Sequence, residues 1–263
     1  MTQTPPVRDE TSSRVPSPPP SLPQPRTMSL VVEEVEELGP SLTQIRLRGD
    51  ALRGFQFAPG QDLMLRLPLE SGDLVNRRYT IRRADPVAGL ADLNVVMHGD
   101  GPAARWARSA RPGQLLPEVV GPRGKITLEV GAAWHLFLGD ETYIPGTLAM
   151  LEVLPPREIA QAILEVSTSA DEQPVATRGG VEVSWLRRGE ATAGEASRLL
   201  GETRRWQVPS GRGHVYIAAE VRVALSLRDE LLARGLSRDQ ISAKGYWSRG
   251  RANAIRGEPD DPS

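Results

Sequence analysis

The chain has 263 residues, 39% hydrophobic and 25% charged, with a formal net charge of −1; that length holds two modest cores, and the balanced charge gives no overall field for nucleic acid or an acidic membrane surface. It contains no cysteine, which excludes disulfides, thiolate zinc sites and protein-ligated iron–sulfur clusters. Its three histidines, His98, His135 and His214, lack metal-ligand spacing, so no metal site is assigned and redox work would need an organic cofactor or a metal brought by a substrate.

The first residues, "MTQTPPVRDETSSRVPSPPPSLPQPR", hold eight prolines and no apolar core of the secretory kind. They read as a disordered, partly extended leader over 1–27. No run approaches the length of a membrane span, and a cytoplasmic monomer is expected.

From Ser29 to about Gly131 the pattern is one of short strands. "SLVVEEVEEL" and "LTQIRLRG" flank a "GPS" turn and suggest a hairpin, with the glutamates on a solvated face. "DLMLRLPL", "RRYTIRR" and "LADLNVVMH" continue the series, "GPAARWARSA" interrupts it with a short helix, and "PGQLLPEVVGPRGK" returns to strand and turn. Such spacing fits an antiparallel barrel or a sandwich.

After Gly131 strand and helix alternate. "WHLFLGD", "IAQAILEVS", "VEVSW", "GHVYIAAE" and "QISAKGYW" read as strands. "ETYIPGTLAMLEVL", with Ile144, Leu148 and Leu151 at helical spacing, "EASRLL" and "VRVALSLRDELLARG" read as helices. This alternation predicts a parallel sheet with crossover helices, so the chain is a barrel followed by an α/β layer. The expected divisions are 28–131 and 132–255, with a tail over 256–263.

Two places could carry chemistry. In "NRRYTIRRAD", Arg77, Arg78, Arg82 and Arg83 crowd around Tyr79 and Thr80. A flavin dinucleotide has a flat ring, polar edges and a pyrophosphate, which an aromatic face, a hydroxyl and forked guanidiniums would match. A solvated arginine face is the other reading, since all but Lys125 and Lys244 of the 32 Lys and Arg residues are arginine. The second place is "LFLGDETYIPG", a strand–turn–helix at the end of the sheet where phosphates bind. It lacks a GxGxxG pattern or a P-loop lysine, and its acids also suit a plain helix start stabilised by the helix dipole.

"RRYTIR", "HGDGPAARWA" with "RPGQLL" and "GPRGK", then "LGDETYIP", and finally "GYWSRGRA" follow one another in the order seen in siderophore-interacting proteins. The chain resembles this family of ferric-siderophore reductases, within the ferredoxin–NADP reductase superfamily, from about Met28 to Ala252. The resemblance implies a six-stranded antiparallel FAD-binding barrel followed by an α/β parallel-sheet nucleotide-binding domain. It implies that Tyr79 packs on the flavin, Thr80 bonds near its reactive edge, Arg77 pairs with the pyrophosphate and Arg82 matches a further family position. His98, Gly101, Ala103, Ala104 and Trp106 fall in the turn and helix start that cradle the flavin phosphates. Ala104 stands where the family usually has serine.

By the same resemblance Gly139, Asp140, Glu141, Thr142, Pro145 and Glu220 would hold NADPH or NADH. Tyr143 and Gly146 stand where small alanines are common, and Ala219 replaces a glycine. Arg187, Arg188, Ser167 and Ser169 could contact a 2′-phosphate, which Asp171 and Glu172 would repel. Lys244, Trp247, Arg249 and Arg251 would line a basic, aromatic mouth for an anionic ferric siderophore. The implied activity moves electrons from NAD(P)H, or from a ferredoxin, through FAD to siderophore-bound Fe3+. No acid–base catalytic residue is assigned. A flavin reductase with another acceptor and a non-catalytic binding protein are the competing readings.

Overall fold

The computed structural model describes residues 22–69, 71–97, 101–177 and 179–250. Six strands close a barrel: β1 (Arg26–Gly39), β2 (Leu42–Arg48), β3 (Asp62–Pro68), β4 (Leu74–Asp85), β5 (Leu90–Val96) and β6 (Leu115–Arg123), in the order β1-β2-β5-β4-β3-β6, with β6 paired back to β1. All pairings are antiparallel. Of the barrel and sandwich alternatives, closure selects the barrel, which leaves no exposed sheet edge. β1 starts three residues earlier than its apolar alternation suggests, because Arg26 pairs with Gly121 of β6.

Alternate residues point inward, so Leu30, Val32, Ile45, Leu47, Leu63, Leu65, Leu67, Ile81, Leu93 and Val119 fill the barrel. Helix α1 (Pro102–Ser109) adds Trp106 and Ala107 to that core. Proline at its first turn suits a position where the backbone N–H has no helical partner.

Five parallel strands follow: β7 (Trp134–Gly139), β8 (Ile159–Val166), β9 (Gly180–Arg187), β10 (His214–Glu220) and β11 (Ile241–Trp247), in the order β11-β10-β7-β8-β9. β7 and β10 are buried on both faces, which explains why they read as unbroken apolar runs. Helices α3 (Ser197–Arg205) and α4 (Val221–Ala233) cover one face through Leu199, Val223 and Leu227. Helix α2 (Ile144–Glu152) covers the other, packing Ile144, Leu148 and Leu151 against Phe137 and Leu164. The single helix expected over "ETYIPGTLAMLEVL" is divided into a 3-10 turn (Glu141–Tyr143) and α2.

Contacts from several elements join the barrel and the connecting segment to the sheet domain. A bulge in β4 between Ile81 and Arg83 breaks the pairing with β5 and re-aims Arg82 at α2. Arg82 grips the Glu152 carboxylate with both amino groups at 3.0 and 2.6 Å, and Arg83 reaches the same carboxylate at 3.2 and 2.6 Å. On the far side, Asp171 accepts from the Ser41 N–H at 2.8 Å and its hydroxyl at 2.6 Å. The Glu129 N–H, in the connecting segment, donates to the Tyr216 hydroxyl at 2.8 Å.

Burial alone would raise the Glu152 pKa, but the two guanidiniums outweigh it and hold the carboxyl at about 2. A depressed carboxyl pKa gives stability that is present above the unfolded value and is lost as pH falls through the folded one. Thermal melts should therefore show a stability loss that begins below about pH 4.5 and grows toward pH 2. In Glu152→Gln that component should be absent, with neutral-pH stability lower by roughly 1–3 kcal/mol. An unchanged acid limb would show that the clasp contributes nothing.

Candidate functional site

Strand β4 runs between β3 and β5 and carries the arginine-rich stretch. Arg78 bonds Asp62 of β3 at 2.8 Å, and Arg82 and Arg83 share Glu152. Arg82, expected beside the cofactor, is 8% exposed and engaged at the domain junction. Arg77 is half-buried and donates to the Asn76 carbonyl at 2.8 Å; loss of hydration lowers its pKa.

Next to Arg77, Tyr79 lies over Trp106 of α1, ring centroids 6.1 Å apart and planes 36° from parallel. The Tyr79 hydroxyl and the Trp106 indole N–H are both buried with no hydrogen-bond partner among the described residues. Burial raises the Tyr79 pKa well out of the physiological range, so the hydroxyl keeps its proton as a donor. Two such buried donors on neighbouring rings are costly unless something accepts from them.

Helix α1 begins at Gly101, which has no side chain to cap it, and no acid occupies its first turn. Among the described residues, a side chain added at Gly101 would meet nothing within 4 Å. The early N–H groups of Ala103 and Ala104 lie there, and such groups favour an anion. Ala104 itself is 2% exposed, its methyl turned into the fold. An uncapped helix start, a half-buried guanidinium and an aromatic with an orphaned hydroxyl fit an FAD phosphate and ring. The residues that would hold it are Arg77, Tyr79, Thr80, Gly101, Ala103 and Ala104. Trp106 lies beneath Tyr79 as part of the barrel core. His98 lies outside the described residues.

The crevice at the carboxyl ends of β7 and β10 is the switch point of the sheet, where the chain order reverses. Here the residues expected to hold a second nucleotide bond to one another. Asp140 accepts from the Thr142 N–H at 3.0 Å and hydroxyl at 2.5 Å through one oxygen; through the other it accepts from the Glu220 N–H at 3.1 Å and the Trp247 indole N–H at 2.8 Å. Glu220 caps α4 by accepting from the Arg222 and Val223 N–H groups at 2.6 and 3.3 Å. Burial raises the Asp140 pKa, an effect these hydrogen bonds oppose.

Glu141 pairs at 2.7 Å with Arg188, which also reaches Glu165 at 3.2 Å, all three being buried. That removes Arg188 from the expected 2′-phosphate contacts. Arg187 pairs with Glu172 at 2.7 Å, and Asp171 serves the Ser41 junction instead. A side chain at Gly139 would strike the Ala218 carbonyl at 2.4 Å and Tyr143 at 2.8 Å, so its bareness serves strand packing. Pro145 is buried in the first turn of α2.

Strand β11 brings its end to β4. The Tyr246 hydroxyl lies 3.5 Å from the Thr80 hydroxyl, and burial pushes the Tyr246 pKa up to about 12. The Lys244 ammonium sits 6.0 Å from the Tyr246 ring, and the Arg249 N–H donates to Glu220 at 3.2 Å. The structure thus sets Lys244 beside Tyr246, which meets the barrel, and Trp247 and Arg249 at Asp140 and Glu220, at the ends of β7 and β10; Arg251 lies outside the described residues. Sequence reading missed Asp62 and Glu152 as arginine partners, since only strand register and packing bring them near.

Residues 132–250 match the family model described as siderophore-interacting protein, and 68–126 match the siderophore-interacting FAD-binding domain. A siderophore utilization protein from T. fusca, of known crystal structure, is 30% identical with a TM-score of 0.81, over 88% of this chain and 95% of that one. The chain belongs to the siderophore-interacting protein family. Ferric vibriobactin reductase ViuB of Vibrio cholerae is 29% identical to this family member over 234 residues, 80% of this chain and 85% of that protein. A ferredoxin NADP+ reductase from Neisseria gonorrhoeae with bound FAD and NADP shares the fold, with a TM-score of 0.63 and 14% identity over 84% of this chain and 99% of that one.

The unequal duties of the arginines are separable by mutation. Arg77→Ala should weaken FAD binding roughly tenfold or more, as expected for loss of a charge-assisted contact, with little change in the melt. Arg82→Ala should lower stability by about 2 kcal/mol and leave FAD affinity near wild type. Calorimetric FAD titration beside thermal melts would reveal the opposite assignment.

Proposed function

We propose that this siderophore-related flavoprotein is an FAD-dependent oxidoreductase that passes electrons from NADPH or NADH to the Fe3+ of a bound ferric siderophore. The observation that carries the reading is the uncapped start of α1 beside the orphaned Tyr79 and Trp106 donors. An anionic cofactor with a flat ring would satisfy the helix start and the Tyr79 hydroxyl together. FAD bound there would supply the exchange between two-electron and one-electron chemistry that a ferric acceptor needs.

The chain's own work is placement. Arg77 and the N–H groups of Ala103 and Ala104 would fix the phosphates, and Tyr79 would support the ring. Thr80, beside Tyr246 at the seam, marks the edge where the siderophore approaches. Lys244 draws the anionic complex to that edge, and the Tyr246 ring next to it offers an aromatic wall. Hard oxygen donors hold Fe2+ far more weakly than Fe3+, so reduction frees the metal. The resemblance to ViuB supports this acceptor.

The alternative of a binding protein without electron transfer draws on Ala104, whose methyl cannot replace a serine hydroxyl. FAD-loaded protein, photoreduced without oxygen and mixed with a ferric siderophore, separates the readings. Oxidised flavin absorbance should return while a ferrous chelator captures about two Fe2+ per flavin, as electron counting requires. A colourless protein that refuses FAD, or a reduced one that stays bleached, would reject the oxidoreductase.

A further inference from the structure

The nucleotide crevice of the α/β domain is already filled by the chain itself. Asp140 and Glu220, which face it, are only 4% and 2% exposed. Each occupies N–H groups that a pyrophosphate would need: Asp140 takes that of Thr142, and Glu220 takes those of Arg222 and Val223 at the start of α4. The Trp247 indole bridges the two ends of β7 and β10 by donating to Asp140 at 2.8 Å. Above it, Gly194 of the loop after β9 approaches so closely that a side chain there would lie 3.0 Å from both Trp247 and Glu220. The Arg249 N–H ties the continuation of β11 to Glu220, and its guanidinium lies 3.6 Å from Glu195.

We propose that Trp247 is a displaceable occupant of this crevice, and that its indole–Asp140 hydrogen bond sets the affinity of the protein for a nicotinamide dinucleotide. This rests on the donor assignment made above. A flat heteroaromatic ring with one N–H donor, seated over the switch point between two helix starts, takes the space a dinucleotide needs there. The segment Trp247–Arg249 must move before a dinucleotide enters. A ligand that needs a minor conformer binds more weakly in proportion to that conformer's population. The hydrogen bond to a carboxylate keeps the open conformer scarce, and its removal should raise the population roughly tenfold or more.

The test is calorimetric titration of NADPH and of NADH into FAD-loaded protein with no acceptor present, comparing wild type with Trp247→Phe. The phenyl ring keeps most of the packing and loses the N–H. A purely structural Trp247 would make the variant bind more weakly; an occupant makes it bind roughly tenfold more tightly or better. Unchanged or weaker binding by the variant overturns the proposal. So does a lack of binding by both proteins; that result also removes the nicotinamide donor, while the photoreduced-flavin assay still judges the reductase independently. Should Trp247→Phe fail to fold, hydrogen exchange on the wild type decides. The Arg249 amide should exchange faster with saturating NADPH, and unchanged or slower exchange overturns the displacement.

Discussion

The junction of Arg82 and Arg83 with Glu152 is the contact on which the rest of the arrangement depends. One carboxylate at the end of α2 receives two guanidiniums from a bulged barrel strand. Removing either side leaves charge at a partly buried seam, which costs more than the pair itself contributes. Because the same strand carries Tyr79 and Thr80, and the same sheet carries Tyr246, the clasp also sets the gap across which the domains meet. The Ser41–Asp171 contact on the opposite side keeps that gap from rotating about a single point.

Within this frame the starts of α1, α2 and α4 differ in what caps them. α1 has glycine at its cap and no acid in its first turn. The turn ahead of α2 and the start of α4 are neutralised by Asp140 and Glu220. The start of α1 in the barrel half is thus bare of acids, while the turn ahead of α2 and the start of α4 are closed by the chain's own carboxylates. On the proposed reading, that asymmetry suits a resident cofactor on one side and a transient nucleotide on the other.

Much of this was legible in the sequence. Period-two alternation located all six barrel strands, and unbroken apolar runs located β7 and β10, because burial on one or two faces writes itself directly into residue order. The Arg-x-Tyr-Thr stretch stands out in the sequence for its charge, of which only Arg77 is expected at a pyrophosphate. Arg78, Arg82 and Arg83 meet Asp62 and Glu152, which stand 16 and about 70 positions away. Pairings at such separations follow from strand register and from a bulge, neither of which local pattern encodes. Likewise "GDET" looked like a ligand loop, although Asp140 is engaged by Trp247, more than a hundred residues later. Residue type marks which stretches are unusual, and tertiary pairing decides which partners their side chains meet.

The side chain at 143 has a consequence for the seam. Tyr143 is fully buried, meets the edge of Tyr246 at 5.8 Å, and lies so near Gly146 that a methyl there would be 3.0 Å from its ring and 3.3 Å from the Thr80 methyl. The large residue and the bare one are thus a matched pair, sharing one volume that also touches the barrel. Restoring alanine at 146 alone would press against both domains, and shrinking 143 alone would leave an aromatic-sized void. The two positions can change only together, so lineages that differ at one of them should differ at the other.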